Sequence, residues 1–113
     1  MDLFNMVAAF HQKFELEPTP QPDFPKYEIV RLKSVHLQEE LNEIIKAGQE
    51  NDLEEYFDGL IDLVYVALGA AYLAGLPFNE GFQRVHEANM TKIRAKSENF
   101  LHRFKTIKTK LKF

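Results

Sequence analysis

Residues 36–75, HLQEELNEIIKAGQENDLEEYFDGLIDLVYVALGAAYLAG, decide the fold. Apolar residues recur at helical spacing in the first part, and from Tyr56 onward the second part is almost entirely apolar. Asn51 and Asp52 separate the two parts with a break and a helix cap. The stretch therefore predicts two consecutive helices, and the second is expected to be buried on nearly all sides.

Further helices are predicted on both sides of this pair, which makes the fold all-α. Asp2 can cap a first helix in which Phe4, Val7, Phe10 and Phe14 follow helical spacing. The spacing places the other three helices at about residues 26–49, 52–74 and 78–91. Apolar stripes of this kind predict a helical bundle of four main helices.

Proline and glycine mark the boundaries between these helices. Four of the five prolines fall in EPTPQPDFP, residues 17–25, so this segment is predicted to be an extended connector. Gly75 followed by Pro77 is a stop signal for the third helix. We interpret residues 1–113 as one domain with this connector and a basic tail, residues 94–113.

The composition is that of a soluble globular protein, with 45% hydrophobic and 27% charged residues. The absence of cysteine excludes disulfides and thiolate metal sites, and it fits a cytoplasmic location. The start of the sequence does not read as a signal peptide. Because Asp62 and three glycines interrupt the apolar run 59–77, we interpret it as a core helix and expect no membrane partner.

Charge is distributed unevenly along the chain. Residues 1–91 carry 16 acidic and 6 basic side chains, a balance of −10, whereas residues 92–113 carry 1 acidic and 8 basic side chains, a balance of +7. A basic tail can bind phosphates or nucleic acid. We favour a solvated terminal segment that lies against the acidic body, and we expect no nucleic-acid partner. Its residues fit a helix and a strand equally well.

Carboxylates occupy positions where burial would make them costly. On the second predicted helix, Glu39, Glu40 and Glu43 share one flank of the apolar stripe, and on the third, Asp58 and Asp62 are one turn apart. Like charges in such an arrangement repel unless a cation lies between them. Carboxylates from two adjacent helices make a hard-oxygen site that suits Mg²⁺ or Mn²⁺. A solvated acidic surface is the plainer interpretation of the three glutamates alone.

The fourth predicted helix carries two polar groups of interest. Asn89 falls in the middle of an apolar stripe, and Lys92 lies at its edge. An asparagine in such a place usually satisfies a backbone group. Beside a metal site, Asn89 and Lys92 would instead hold phosphate oxygens.

Taken together, these motifs resemble a known group of enzymes. Glu39-Glu40-x-x-Glu43 followed by an acidic helix resembles the all-α nucleotide pyrophosphohydrolases, which include MazG-like proteins, dimeric dUTPases and phosphoribosyl-ATP pyrophosphohydrolase. The segments DGLIDLVYVALGAAYLAGL and VHEANMTKI are similar to the phosphoribosyl-ATP pyrophosphohydrolase-like branch. The resemblance covers about residues 37–93. It implies Mg²⁺-dependent hydrolysis of a nucleoside triphosphate to the monophosphate and pyrophosphate.

The resemblance also implies roles for individual residues. Glu40, Glu43 and Asp62 would be metal ligands, and Glu39 would orient or deprotonate the attacking water. Asn89 and Lys92 would bind the phosphates or the sugar of the nucleotide.

The second acidic motif departs from the family pattern. That motif is usually Glu-x-x-Asp, but the residue three before Asp62 is Gly59, and Asp58 lies four before it. Glu55-x-x-Asp58 has the usual spacing one turn earlier. We take Asp58 and Asp62 as the metal-binding pair and keep Glu55 in reserve.

Other functions are considered beside this one. A di-iron bundle would need Glu-x-x-His, and no histidine follows a glutamate by three residues. The remaining alternatives are phosphoribosyl-ATP as the substrate, or an inactive helical binding or assembly module. A chain of this length cannot easily cover an apolar third helix, so we expect a homodimer or homotetramer.

Overall fold

The computed structural model describes residues 1–92, in which four helices alternate with non-helical connections and no strand occurs. The four helices are α1 (Leu3–Lys13), α2 (Tyr27–Gln49), α3 (Leu53–Leu73) and α4 (Phe78–Met90). The all-α class and the four helices are confirmed, and the predicted bounds differ by a residue or so. The basic tail, residues 94–113, lies outside the described residues.

Two aspartates begin helices as the sequence predicts. The Asp2 side chain accepts a hydrogen bond of 3.1 Å from the Asn5 backbone N–H, and Asp52 accepts one of 3.1 Å from the Glu55 N–H. Each carboxylate satisfies a donor that has no partner within its own helix. Gly75, at φ +64°, ends α3 in the left-handed conformation that favours glycine.

The proline-rich connector, residues 17–25, is non-helical and holds the end of α3. The Thr19 N–H donates to the Leu73 carbonyl at 3.1 Å, and the Asp23 N–H donates to the Ala74 carbonyl at 3.1 Å. Both carbonyls lie where a helix runs out of internal donors. The connector therefore supplies backbone groups that satisfy the C-terminal end of α3.

The helices α2 and α3 pack as an antiparallel pair. Gly59 near the start of α3 lies against Ile44 near the end of α2, while Gly69 lies beside Lys33 in the first half of α2. A Cβ built on Gly59 would stand 2.8 Å from Ile44 Cγ1. Helices that approach this closely are fixed in register, because a shift would push a side chain into the space left by glycine.

The first helix docks on α3 through a buried histidine. His11 is only 2% exposed, and its Nδ1–H donates to the Val7 carbonyl at 2.8 Å. Its ring contacts Tyr72 with a centroid separation of 5.4 Å, and Phe10 meets Tyr65 edge-on at 5.7 Å. Aromatic contacts of this kind stabilise the α1–α3 pair beyond the area that they bury.

The chain falls into two compact units, divided between Gly81 and Phe82. The first unit holds α1, α2, α3 and the first residues of α4, and the second unit holds the rest of α4. The buried apolar core lies in the first unit and consists of Val7, Ala8, Ile44, Ala47, Leu68 and Leu73.

The prediction that α3 is buried on nearly all sides is wrong for this unit. Gly59, Leu68, Gly69 and Leu73 are buried. By contrast, Leu53 is 80% exposed and Phe57 is 63% exposed. The reason is that α1 and α2 pack on two sides of α3 within the unit and leave a third side uncovered.

Helix α3 also passes a simple test for a membrane span. Within the described residues it is the one helix that is long and apolar enough by length and composition to cross a bilayer. Core helices of soluble proteins pass the same test, so this is weak support for a span.

We predict that Gly69→Ala destabilises the fold. The new Cβ would lie 2.8 Å from His11 Cε1, and the hydrogen bond to Val7 holds that ring in place. Such overpacking costs about 1–3 kcal/mol. It outweighs the gain of about 1 kcal/mol from placing alanine instead of glycine in a helix.

Urea unfolding measures this change, and Gly48→Ala is the matched control. Nothing lies within 4 Å of a Cβ at Gly48 in α2, so alanine there should stabilise the protein by up to about 1 kcal/mol. Equal stabilisation by both variants would show that the close approach at Gly69 is not needed.

Candidate functional site

Four predicted metal ligands meet at the α2–α3 pair. Because the helices are antiparallel and Ile44 faces Gly59, Glu40 and Glu43 of α2 come beside Asp58 and Asp62 of α3. Glu40 and Asp62 are partly buried, whereas Glu43 and Asp58 are exposed. The structure therefore brings together acids that are 15 to 22 residues apart in the sequence.

Glu40 lies at the centre of this acidic cluster. Its Oε2 is buried and has no hydrogen-bond partner among the residues that the structure describes. Burial raises the pKa of Glu40, and the charges of Glu43, Asp62 and Asp58 raise it further. An unsatisfied carboxylate surrounded by like charge is unfavourable as an anion and favours either a proton or a cation.

The four carboxylates are close enough to repel one another but do not enclose a metal ion. In residues 1–92, no group of three or more histidine, aspartate or glutamate side chains is arranged to hold one. Charges interact over several ångströms, whereas Mg²⁺ needs oxygens at about 2.1 Å. The structure thus supplies a set of oxygen donors, and their side chains must turn inward to ligate an ion.

Glu39 occupies a different position from its neighbour Glu40. It is exposed on α2 and is not among the groups that raise the pKa of Glu40. Its predicted role in positioning water stays a prediction.

Asn89 and Lys92, predicted to bind substrate, lie in the second unit. Lys92 Nζ donates a hydrogen bond of 2.8 Å to Asn89 Oδ1, and both residues are exposed. Asn89 therefore bonds to a side chain here and does not satisfy a backbone group. The pair presents an ammonium and an amide together, which are suitable groups for phosphate oxygens. Their role as substrate ligands stays a prediction.

Lys33 of α2 is a basic residue that the sequence analysis did not single out. It is half-buried, and burial lowers its pKa. In the part of the chain that is described, it makes no ion pair. It precedes Glu40 by seven residues, which places both on the same face of α2 two turns apart. This seven-residue spacing is the feature of the sequence that could have drawn attention to Lys33.

Lys33 also lines an apolar cavity between α2 and α3. The cavity has a volume of about 430 Å³. Helix α2 contributes Val30 and Leu37 to its wall, α3 contributes Ala67 and Ala71, and the connector contributes Phe24 and Pro25. The sequence analysis did not predict this cavity, because its walls come from segments that are far apart in the chain.

We predict that Glu40→Gln stabilises the protein in EDTA at neutral pH. In the unfolded chain, the Glu40 carboxyl has its ordinary pKa of 4.5. Because folding raises this pKa, folded Glu40 keeps its proton at pH values where the unfolded chain has lost it. Its contribution to stability therefore falls as pH rises through this window and stays low above it. Glutamine at position 40 removes both the negative charge and the pH dependence of this contribution to stability.

Thermal melting from about pH 4 to about pH 8 checks this expectation. Glu39→Gln is the control, because it removes one acid from the same helix without removing a group that acts on Glu40. If Glu40→Gln melts like the control at every pH, the carboxylates do not strain the fold.

Comparison with protein families gives a match over most of the chain. The family described as phosphoribosyl-ATP pyrophosphohydrolase matches residues 7–89, which include most of α1, all of α2 and α3, and most of α4. No individual curated protein matches the chain. Members of the family are pyrophosphohydrolases of the MazG-like superfamily, and the match confirms the resemblance seen in the sequence. The chain therefore belongs to the phosphoribosyl-ATP pyrophosphohydrolase family and is a hydrolase that acts on a phosphoric anhydride.

Proposed function

We propose that the protein is a Mg²⁺-dependent nucleoside triphosphate pyrophosphohydrolase that releases a nucleoside monophosphate and pyrophosphate. The observation that carries this proposal is the buried oxygen of Glu40, which has no partner among the described residues and is surrounded by three other acids. A substrate rich in phosphate oxygens cannot approach four carboxylates unless cations accompany it. The site therefore needs a cation to act on a nucleotide.

The donor set fits Mg²⁺, and it also fits Mn²⁺. Glu40, Glu43, Asp58 and Asp62 offer only carboxylate oxygens, which are the ligands that hard divalent cations prefer. A bound cation would satisfy Glu40 Oε2 and remove the repulsion that raises the pKa of Glu40. We propose these four residues as the groups that hold the metal.

The packing of Gly59 supports Asp58 as a ligand in place of the family glutamate. Gly59 is buried, and a Cβ there would stand 2.8 Å from Ile44 Cγ1. A glutamate at this position would have to displace Ile44 from the core. Asp58 is exposed beside the cluster, and its charge acts on Glu40. In this chain, position 59 serves helix packing and position 58 supplies the carboxylate.

The chain's own groups would divide the work of hydrolysis. When bound, Mg²⁺ neutralises charge on the phosphate oxygens and lowers the pKa of water. Glu39, which is exposed next to Glu40, is proposed to orient the attacking water and accept its proton. Asn89 and Lys92 are proposed to bind the phosphates or the sugar, because they offer an amide and an ammonium side by side. Lys33 is left out of this scheme.

A second candidate substrate is phosphoribosyl-ATP itself, which the family match over residues 7–89 favours. It carries the same triphosphate and requires the same hydrolysis, so the two candidates share one site chemistry. For either substrate we propose a cytoplasmic enzyme. An inactive helical module remains the alternative that the following assay distinguishes.

We predict metal-dependent release of pyrophosphate that Asp62→Asn abolishes. The substitution keeps the shape of the side chain but removes one of the carboxylates next to Glu40. Loss of a metal ligand should lower kcat/KM by at least about 100-fold, because second-shell partners alone account for up to that much. The measurement is pyrophosphate release from a panel of nucleoside triphosphates and phosphoribosyl-ATP, with Mg²⁺, Mn²⁺ or EDTA.

Glu28→Gln is the matched control, since Glu28 lies in the first turn of α2 and far along the helix from Glu40. It should leave the rate within a few fold of wild type. Folded protein that binds Mg²⁺ but releases no pyrophosphate from any substrate would overturn the proposed reaction. Folded protein that binds no metal at all would overturn the assignment of the acidic cluster as well.

A further inference from the structure

We propose that the apolar cavity beside Lys33 receives the nucleobase of the substrate, and that the Lys33 ammonium donates a hydrogen bond to an acceptor atom of that base. The inference rests on the proposed function, because it takes the acidic cluster around Glu40 as the place where the phosphates bind. It assigns a role to a cavity and to a lysine that the proposed reaction does not use.

The walls of the cavity suit a flat, largely apolar ring. Its volume of about 430 Å³ falls within the range of about 300–1,000 Å³ that is typical of small-molecule sites. The α3 side of the cavity is made of small side chains, namely Ala67, Ala70, Ala71 and Ala74. The connector contributes Phe24, which is 81% exposed. Exposed aromatic rings are groups on which proteins stack nucleobases.

Lys33 supplies this cavity with a hydrogen-bond donor. Among the described side chains that line the cavity, Lys33 and Ser34 are the polar ones. Ser34 already donates its hydroxyl hydrogen to the Val30 carbonyl at 2.8 Å. The Lys33 ammonium is half-buried, and its loss of hydration lowers its pKa. An acceptor atom that enters the cavity would replace the hydrogen bonds to water that this ammonium has lost.

The neighbouring histidine does not take up the Lys33 ammonium. A Cβ built on Gly69 would lie 3.1 Å from His11 Nε2 and 3.4 Å from Lys33 Nζ, so the two nitrogens border the same space. His11 Nε2 nevertheless has no hydrogen-bond partner among the described residues. Lys33 therefore packs beside His11 without bonding to it, and its ammonium stays available to a ligand in the cavity.

The position of Lys33 relative to the acidic cluster fits the length of a nucleotide. Lys33 and Glu40 lie on the same face of α2, and their seven-residue spacing separates them by about 10.5 Å along the helix axis. If the outer phosphates of a nucleoside triphosphate lie near Glu40, its α-phosphate and sugar occupy this interval and its base lies near Lys33. An aromatic carboxylate would also suit Lys33 and the apolar walls, but it would leave the acidic cluster unused.

Nucleoside binding to the full chain tests the pocket without using the reaction. Nucleosides carry no phosphate, so their binding in EDTA depends on neither the metal nor hydrolysis. We expect at least one of adenosine, cytidine, uridine and inosine, at millimolar concentration, to shift the NMR signals of isotope-labelled alanine methyl groups in the cavity wall. The methyl group of Ala47, which is buried in the core and does not line the cavity, should not shift. Ribose, which has no base, should shift none of them.

Two variants separate the role of the ammonium from that of the space. Lys33→Met keeps an unbranched apolar side chain but removes the charge, and it should weaken nucleoside binding by about tenfold or more, as expected for a hydrogen bond to a charged group. Ala71→Leu keeps the ammonium and fills part of the cavity, so it should also weaken binding. Arg31→Met is the matched control, because Arg31 is an exposed cation of α2 that does not line the cavity. Circular dichroism shows whether each variant has folded.

The outcomes for the pocket and for the reaction are distinguishable. Metal-dependent release of pyrophosphate with no methyl shift from any nucleoside would overturn the pocket and leave the reaction standing. Methyl shifts without hydrolysis of any nucleotide would support the pocket and count against the reaction. Nucleoside binding that Lys33→Met leaves unchanged would overturn the role of the ammonium. Benzoate that shifts the same methyl groups at lower concentration than every nucleoside would overturn the proposal in favour of an aromatic anion.

Discussion

The close approach of α3 to its neighbours at two glycines is the constraint on which the rest of the structure depends. Gly59 admits Ile44 of α2, and Gly69 admits the ring of His11 from α1. These contacts hold the register of the helices, because sliding one helix would push a side chain into the space that each glycine leaves. The position of every carboxylate in the candidate site follows from that register.

The same register creates an electrostatic cost. It places Asp58 and Asp62 near Glu40, whose buried oxygen has no partner in the described residues and whose pKa is raised by burial and by its neighbours. Proteins commonly accept such local instability at sites that bind charged ligands. The hydrophobic contacts around Ile44, Ala47 and Leu68 offset it and hold the helices together. We therefore regard the repulsion as the physical reason for proposing a cation site here.

The apolar character of α3 has two separate consequences. Its inner sides provide the core with Leu68 and Leu73, while its third side remains exposed along Leu60 and Val64. A helix that is apolar around most of its circumference is not fully covered by α1 and α2 alone. The family match identifies the chemistry of the chain, and the exposure of this side of α3 is a separate property of the first unit.

The sequence by itself determined the helices, their caps and the family. Local signals such as Asp2, Asp52, Gly75 and the proline-rich connector depend on neighbouring residues only, so they could be read directly. The acidic motifs also predicted that Glu40 and Glu43 would lie near Asp58 and Asp62, and the role of these residues as metal ligands stays a prediction. Only the tertiary structure decided that Glu40 is the carboxylate whose pKa is raised by burial and by its neighbours. It also decided that Lys33 lines a cavity and that one side of α3 is uncovered in the first unit. Burial and charge depend on which distant segments pack together, and a helical pattern shows an apolar side without showing what covers it.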